Sequence, residues 1–254
     1  MSAPAFLHTP AGRRLAYRHQ PGRGPSGGPG VVFLGGFMSD MEGSKAAFLA
    51  EWAAARGQAF LRFDYSGHGA SSGAFTDGCI GDWAEDALAA ITALSTGPQV
   101  LVGSSMGGWI ALLIARARPD LVAGLIGIAA APDFTEDSMW AGFDEAQRAA
   151  LMEEGQIALP SAYAESPYII TRRLIEEGRR QLVLRSPLAL PGPVRLLQGT
   201  ADADVPQEVA LRLLAHAESA DMRLSLVKGA DHRFSAPDNL AQIAATLEEV
   251  LARL

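Results

Sequence analysis

Six short, mostly apolar runs, Val31–Gly36, Ala59–Asp64, Val100–Val102, Val122–Ala130, Val194–Gly199 and Arg223–Gly229, alternate along the chain with helix-patterned stretches. This alternation constrains the fold more than any other feature. Strands apolar on both faces must be covered from both sides, and amphipathic helices returning between them give a parallel sheet sandwiched by helices. Helices are predicted over Gly43–Arg56, Asp82–Leu94, Ile110 to the break at Pro119, and Pro237–Leu254. Upstream, "RRLAYRHQ" alternates polar and apolar residues, as an antiparallel edge strand would. Between Asp133 and Pro187 the alternation lapses into two helical patterns. One is "DEAQRAALMEEG", stopped by Gly155; the other is "SPYIITRRLIEEGRRQLVL", entered through Ser166 as N-cap and Pro167. The expected organisation is an α/β core of residues 1–132 and 188–254, with residues 133–187 a small helical cap over the carboxyl ends of the strands. Ligands of open α/β sheets bind at that end.

The chain has 254 residues, 48% hydrophobic and 19% charged, enough to bury one substantial core. With a net charge of −7 and scattered basic residues it has no nucleic-acid footprint. No run approaches the roughly 18 apolar residues of a membrane span, and the N-terminus lacks a signal-peptide core, so a cytoplasmic location is expected. Pro21–Gly30 is a turn-rich loop too short to link domains. Cys79 is the single cysteine, which excludes an intrachain disulfide; ahead of a predicted helix in "DGCIGDW", it reads as structural.

In "QVLVGSSMGGWIALL" a strand becomes a helix across a few residues. So sharp a turn forces one residue into a strained conformation and leaves no room for side chains two positions to either side. Only Ser105 meets that condition, with Gly103 and Gly107 flanking it as G-x-S-x-G; Ser104 does not. The alternatives for the pentapeptide are a phosphate-binding loop or an ordinary turn.

A serine hydroxyl needs a positioned base, and the base a partner that holds its tautomer. Of five histidines, His232 in "VKGADHRFSAP" follows the last predicted strand and precedes the last helix. His68 lies on a strand-to-helix loop but precedes the serine. His8, His19 and His216 read as surface or helix-end residues. The acid is expected after a strand between Ser105 and His232, where "LLQGTADADVP" offers Asp202 and, second, Asp204; Asp231 reads as a turn residue. The chain order Ser105, Asp202, His232 is that of α/β-hydrolases. An oxyanion needs preorganised N–H donors, here the backbone of Met106 and, from the loop "LGGFMSD" after the first buried strand, of Phe37. The Phe37 side chain would border an acyl pocket or serve the core. Such a set requires neither a metal nor an organic cofactor.

With these residues placed, the sequence resembles the α/β-hydrolase superfamily, and within it the group typified by α/β-hydrolase-domain-containing protein ten. The stretches that carry the likeness are "FDYSGHGASSG", "GPQVLVGSSMGGW", "ARPDLVAGLIGIAAA", "SPLALPGPVRLLQG", "DVP" and "DHR", spread from about Arg14 to the C-terminus. The resemblance implies the α/β-hydrolase fold, a mostly parallel sheet of the eight-stranded type with helices on both faces and a small helical lid. It also implies Ser105 as nucleophile, Asp202 as acid, His232 as base, and hydrolysis of acyl esters and thioesters. Residues 134–185 match more loosely than the core, and no counterpart of the group's transit peptide is expected.

The expected partner is a small acyl ester or thioester, or an S-acylated protein; no feature points to a particular oligomer. Met139, Trp140, Phe143, Leu151, Met152, Ile169 and Ile170 would line an acyl channel or form the cap's own core. Arg172, Arg173, Arg179 and Arg180 would bind a carboxylate, or form a solvated face with Glu176 and Glu177. Other readings of this fold are acyl transfer, carbon–carbon bond hydrolysis and a non-catalytic binding module.

Overall fold

The computed structural model describes residues 3–22, 28–160 and 167–254. Ser166 and residues 23–27 of the Pro21–Gly30 loop lie outside the described residues. In chain order the strands are β1 (Ala5–His8), β2 (Arg14–Gln20), β3 (Val31–Leu34), β4 (Phe60–Phe63), β5 (Gln99–Ser104), β6 (Val122–Ile128), β7 (Gln156–Leu159), β8 (Tyr168–Thr171), β9 (Pro193–Gly199) and β10 (Asp221–Val227). The helices are α1 (Ser44–Arg56), α2 (Ile80–Leu94), α3 (Met106–Ala117), α4 (Glu145–Glu154), α5 (Arg172–Gly178), α6 (Gln207–His216) and α7 (Pro237–Leu251).

Eight strands form one sheet in the order β1-β2-β4-β3-β5-β6-β9-β10. β3, β4, β5, β6, β9 and β10 run parallel, while β2 pairs antiparallel with β4 and with β1. The edge is therefore β1, outside the segment predicted to be the edge. β1 has four residues and no buried position, too little patterning to announce a strand. By covering β2 it buries Leu15 and Ala16 completely.

Because side chains alternate along a strand, both faces of the central strands are apolar. Val32, Leu34, Leu101 and Leu125 pack against α2 and α3, through Trp83, Ile91, Trp109 and Ile110. Val31, Phe33, Val102 and Ile126 pack against α1 and α7, through Leu49, Trp52, Ile243 and Leu247. Each fully buried Leu or Ile of this kind contributes about 1.5–3 kcal/mol.

Between β6 and β9 the chain departs from the helical pattern read in the sequence. Thr135–Trp140 is a π-helical turn, and α4 follows, capped by Asp144, whose carboxylate accepts from the Gln147 N–H at 2.8 Å. Tyr168–Thr171 is not the start of a helix but strand β8, paired antiparallel with β7. Thr171, not Ser166, caps the helix that follows, accepting from the Leu174 N–H at 3.1 Å. The residues Y-I-I-T satisfy a helical period yet are β-branched or aromatic, and the pairing with β7 decides between the two. Asp133, fully buried, ties the two ends of this segment together, accepting from the Val183 N–H at 2.8 Å, the Leu184 N–H at 3.0 Å and Arg185 Nη1 at 2.7 Å. Among the described residues no helix is long and apolar enough to cross a membrane.

Non-glycine residues with left-handed φ among those described are Met38, Ser105, Ala129, Asp133 and Phe234. All lie beyond the carboxyl ends of sheet strands. Such conformations cost of order 1–3 kcal/mol each and concentrate at functional sites.

Candidate active site

Ser105 stands on the turn between β5 and α3 with φ 54° and ψ −118°. The flanking glycines are obligatory here. A Cβ on Gly103 would lie 2.3 Å from the Gly107 carbonyl oxygen, and one on Gly107 would lie 2.0 Å from the carbonyl oxygen of Leu34. Any larger residue would force β5, α3 and β3 apart. Ser104, the last residue of β5, is buried, and the imidazole described next bonds Ser105 instead.

The residues singled out by chain order meet in space. The loop after β10 places His232 Nε2 3.1 Å from Ser105 Oγ, and His232 Nδ1 2.9 Å from Asp202 Oδ2 on the loop after β9. An ionised carboxylate only accepts, so Nδ1 carries the hydrogen and Nε2 is left to accept from the serine hydroxyl. Asp202 has a fully buried side chain and receives further hydrogen bonds. Oδ1 accepts from the N–H groups of Asp204 at 3.0 Å and Val205 at 2.8 Å, and Oδ2 accepts from Gln198 Nε2 at 2.9 Å. Burial alone would raise its pKa, but the hydrogen bonds from His232 and the two backbone N–H groups prevail and hold it below the ordinary carboxylate range.

The loop after β3 approaches Ser105 from the other side: a Cβ on Gly36 would sit 3.5 Å from that of Ser105. Phe37 follows, its ring making edge contacts with Phe75, Trp83, Phe134 and Tyr168. The "RFDYSGHG" stretch, Arg62 to Gly69, fixes this loop. Asp64 accepts from the Met41 N–H at 2.7 Å, and Arg62 Nη1 donates to the Met41 carbonyl at 2.6 Å. His68 serves the same packing; it is buried against Tyr65, Phe75 and Trp83, and burial lowers its pKa. His216 bonds the Ser186 carbonyl, away from the site.

A cavity of about 500 Å³ opens over Ser105 and His232. Phe37, Phe134, Tyr168 and Met139 supply apolar walls, while Lys45 and Arg233 bring positive charge. Met139 is the one lining residue among the seven apolar cap positions considered from sequence; Phe143, Leu151 and Ile170 are buried in the core, and Met152 is exposed. None of the four cap arginines lines the cavity. Arg172 pairs with Glu176 at 3.2 Å, Arg173 with Asp82 at 2.6 Å and Arg179 with Glu136 at 2.7 Å. Sequence reasoning missed Lys45, whose partner lies on a distant loop, and Gln198, whose side chain bonds Asp202 in the loop after its own strand; the lysine in the opening turn of a helix was the one available signal.

Among the described residues, Asp202, Asp204 and His232 form the one group whose ligand atoms cluster as a metal site would. Both His232 nitrogens and both Asp202 oxygens already have hydrogen-bond partners, so that donor set is spent. Cys79 precedes α2, where its Sγ donates to Asp82 at 3.1 Å, and burial pushes the thiol up to about 12. It is no thiolate nucleophile.

The chain has relatives among known proteins. Residues 31–245 match the Alpha/beta hydrolase family. The mitochondrial palmitoyl-protein thioesterase ABHD10 of Rattus norvegicus is 37% identical over 251 residues, 98% of this chain and 83% of that protein. The structure of alpha/beta hydrolase domain-containing protein 10 from mouse superposes with a TM-score of 0.89 at 34% identity, covering 99% of both chains. A crystal structure of a protein from Agrobacterium vitis S4 superposes with a TM-score of 0.94 at 38% identity, covering 98% of both chains. The family match over residues 31–245 and the sequence similarity along nearly the whole length agree: the chain belongs to the alpha/beta hydrolase family.

Proposed function

We propose that the protein is a serine hydrolase that cleaves carboxylic esters and thioesters through an acyl-enzyme on Ser105. The observation that carries this reading is the unbroken hydrogen-bonded chain from Ser105 Oγ through His232 to Asp202, whose first two members line the cavity. His232 Nε2 takes the hydroxyl proton as Oγ attacks the acyl carbon, and the ionised Asp202 stabilises the imidazolium. The N–H groups of Phe37 and Met106 receive the oxyanion. Met106 opens α3, where the first N–H groups have no acceptor within the helix. When the bond to the leaving group breaks, the Nε2 proton passes to the departing oxygen or sulfur. A water then gives its proton to Nε2 and attacks the acyl carbon, and the proton returns to Ser105 as the acid leaves.

The triad serves oxyesters and thioesters alike, and a thiolate, with a thiol pKa near ~8.5, leaves more readily than an alkoxide. The ABHD10 relatives are named palmitoyl-protein thioesterases, which supports including thioesters. Residues 133–187 act in this reading as the cap, supplying Phe134, Met139 and Tyr168 to the acyl side of the cavity.

The test measures kcat/KM over p-nitrophenyl esters and acyl thioesters of rising chain length, with Ser105→Ala as the blank. Turnover that falls by at least about 10⁴-fold in that variant, together with fluorophosphonate labelling of Ser105 alone, is expected. Activity that survives Ser105→Ala refutes the reading. Product analysis with added alcohol separates hydrolysis from acyl transfer.

A further inference from the structure

Lys45 occupies the first turn of α1, where the helix dipole is positive and a cation is disfavoured. Its ammonium donates to a backbone carbonyl, that of Arg233, 188 positions away in the chain and directly after His232. Lys45 lines the same cavity as Ser105 and His232. A cation kept at a helix N-terminus, half-buried and bonded to a neutral carbonyl, is a costly arrangement for packing alone.

The loop it grips needs holding. After His232 the chain passes through Phe234, fully buried with φ 50°, and Asp231 Oδ1 braces the turn by accepting from the Phe234 N–H at 3.0 Å. Ser235 Oγ also donates to the Arg233 carbonyl, at 2.8 Å, but from within the same loop. Lys45 is the tie that joins this carbonyl to a helix.

We propose that Lys45 is a positioning residue for His232: its protonated ammonium, by donating to the Arg233 carbonyl, holds the loop at the depth where Nε2 meets Ser105 and Nδ1 meets Asp202. The proposal rests on the acyl-enzyme reading above. Burial, the largest influence, lowers Lys45 to about 8, with Asp231 and Asp202 opposing that shift and Arg233 adding to it. Losing the proton removes the charge from a charge-assisted hydrogen bond, which weakens it. The other titratable groups that line the cavity with Lys45 are Asp204, His232 and Tyr168. Carboxylic acids, imidazoles and guanidinium groups as classes do not change charge between about pH 8 and 9.5, and phenols as a class do so nearer to about pH 10. A fall in kcat that begins near pH 8 and is removed by Lys45→Arg is therefore the signature of Lys45.

The experiment records kcat and KM against pH on a neutral p-nitrophenyl ester for the wild type, Lys45→Arg and Lys45→Met. The wild type is expected to lose kcat above about pH 8, and Lys45→Arg, whose guanidinium stays charged, to hold it to about pH 9.5. Lys45→Met is expected to lose about tenfold in kcat at pH 7 with KM within about twofold, the scale of one charged hydrogen bond. An unchanged alkaline fall in Lys45→Arg, or a Lys45→Met variant defective in KM alone, overturns the proposal. A second readout needs no substrate. The low-field proton NMR signal of His232 Nδ1–H is expected sharp in the wild type and Lys45→Arg and broadened in Lys45→Met, with melting temperatures within about 4 °C. A signal that stays sharp in Lys45→Met overturns the positioning role. A wild type that shows the signal but hydrolyses nothing refutes the acyl-enzyme reading, while the signal still decides the part of Lys45.

Discussion

Two aspartates stand two residues apart on the loop after β9, and the hydrogen bonds give them different work. Asp202 presents its carboxylate to His232, Gln198 and two backbone N–H groups, whereas Asp204 contributes its own N–H to Asp202. An amide at position 202 would offer a donor where His232 Nδ1–H needs an acceptor, turning the imidazole to the wrong tautomer. Asp202→Asn is expected to lower kcat by about 10⁴-fold. Asp204→Asn keeps the backbone donor and should cost no more than about tenfold, the scale of a single hydrogen bond. Steady-state kinetics on one p-nitrophenyl ester check both, and equal losses would show the two residues to share the role. Ser105, Asp202 and His232 were legible in the sequence because each follows a strand and their order is fixed by topology. Gln198 was hidden inside an apolar strand, and Lys45 was hidden because its partner is a carbonyl, which no residue type advertises.

The elbow is an element whose sequence and geometry determine each other. Gly107 faces the Leu34 and Gly35 carbonyl oxygens, at 2.0 and 2.6 Å from an added Cβ, and these are backbone atoms that cannot swing aside. Gly107→Ala must therefore push α3 from β3, displacing Ser105 and the Gly36–Phe37 loop together. Overpacking of this kind costs about 1–3 kcal/mol, which in a domain of this size lowers Tm by about 2–12 °C. The activity loss should exceed what stability explains, because serine and oxyanion donors shift relative to each other. A melting curve and kcat at 25 °C check this, and a variant with wild-type kcat would show that the elbow has slack. The same local logic made the central strands and α1–α3 legible. The β7–β8 hairpin was not, because Tyr168–Thr171 gains its identity from a partner strand, and β1 was missed because it has four residues, none of them fully buried.

At the scale of the whole molecule, the division into core and cap read from the sequence meets a hydrophobic cluster with no seam. Leu151, Ile170, Leu174 and Ile175 of residues 133–187 belong to the same buried cluster as Trp83, Trp109 and Ile110. Trp109 Nε1 donates to the Gln181 carbonyl at 3.1 Å, and Asp133 locks both ends of the segment to each other. A segment without a core of its own cannot retain or lose structure independently at small cost. Unfolding residues 133–187 alone would expose the apolar face of α3 and orphan the groups bonded to Asp133, which together consume a large part of the roughly 5–15 kcal/mol that a domain possesses. The four tryptophans report on the parts separately: Trp52 lies on the α1 and α7 side of the sheet, Trp83 and Trp109 on the other, and Trp140 in the inserted segment. With 5-fluorotryptophan incorporated, a urea titration followed by fluorine NMR is expected to show all four native resonances disappearing at one midpoint, as a single cooperative unit requires. Earlier loss of the Trp140 resonance would mean that the segment opens as its own unit. Entry to the cavity would then proceed by local unfolding of the wall that carries Phe134, Met139 and Tyr168, and not through a gap in a rigid wall.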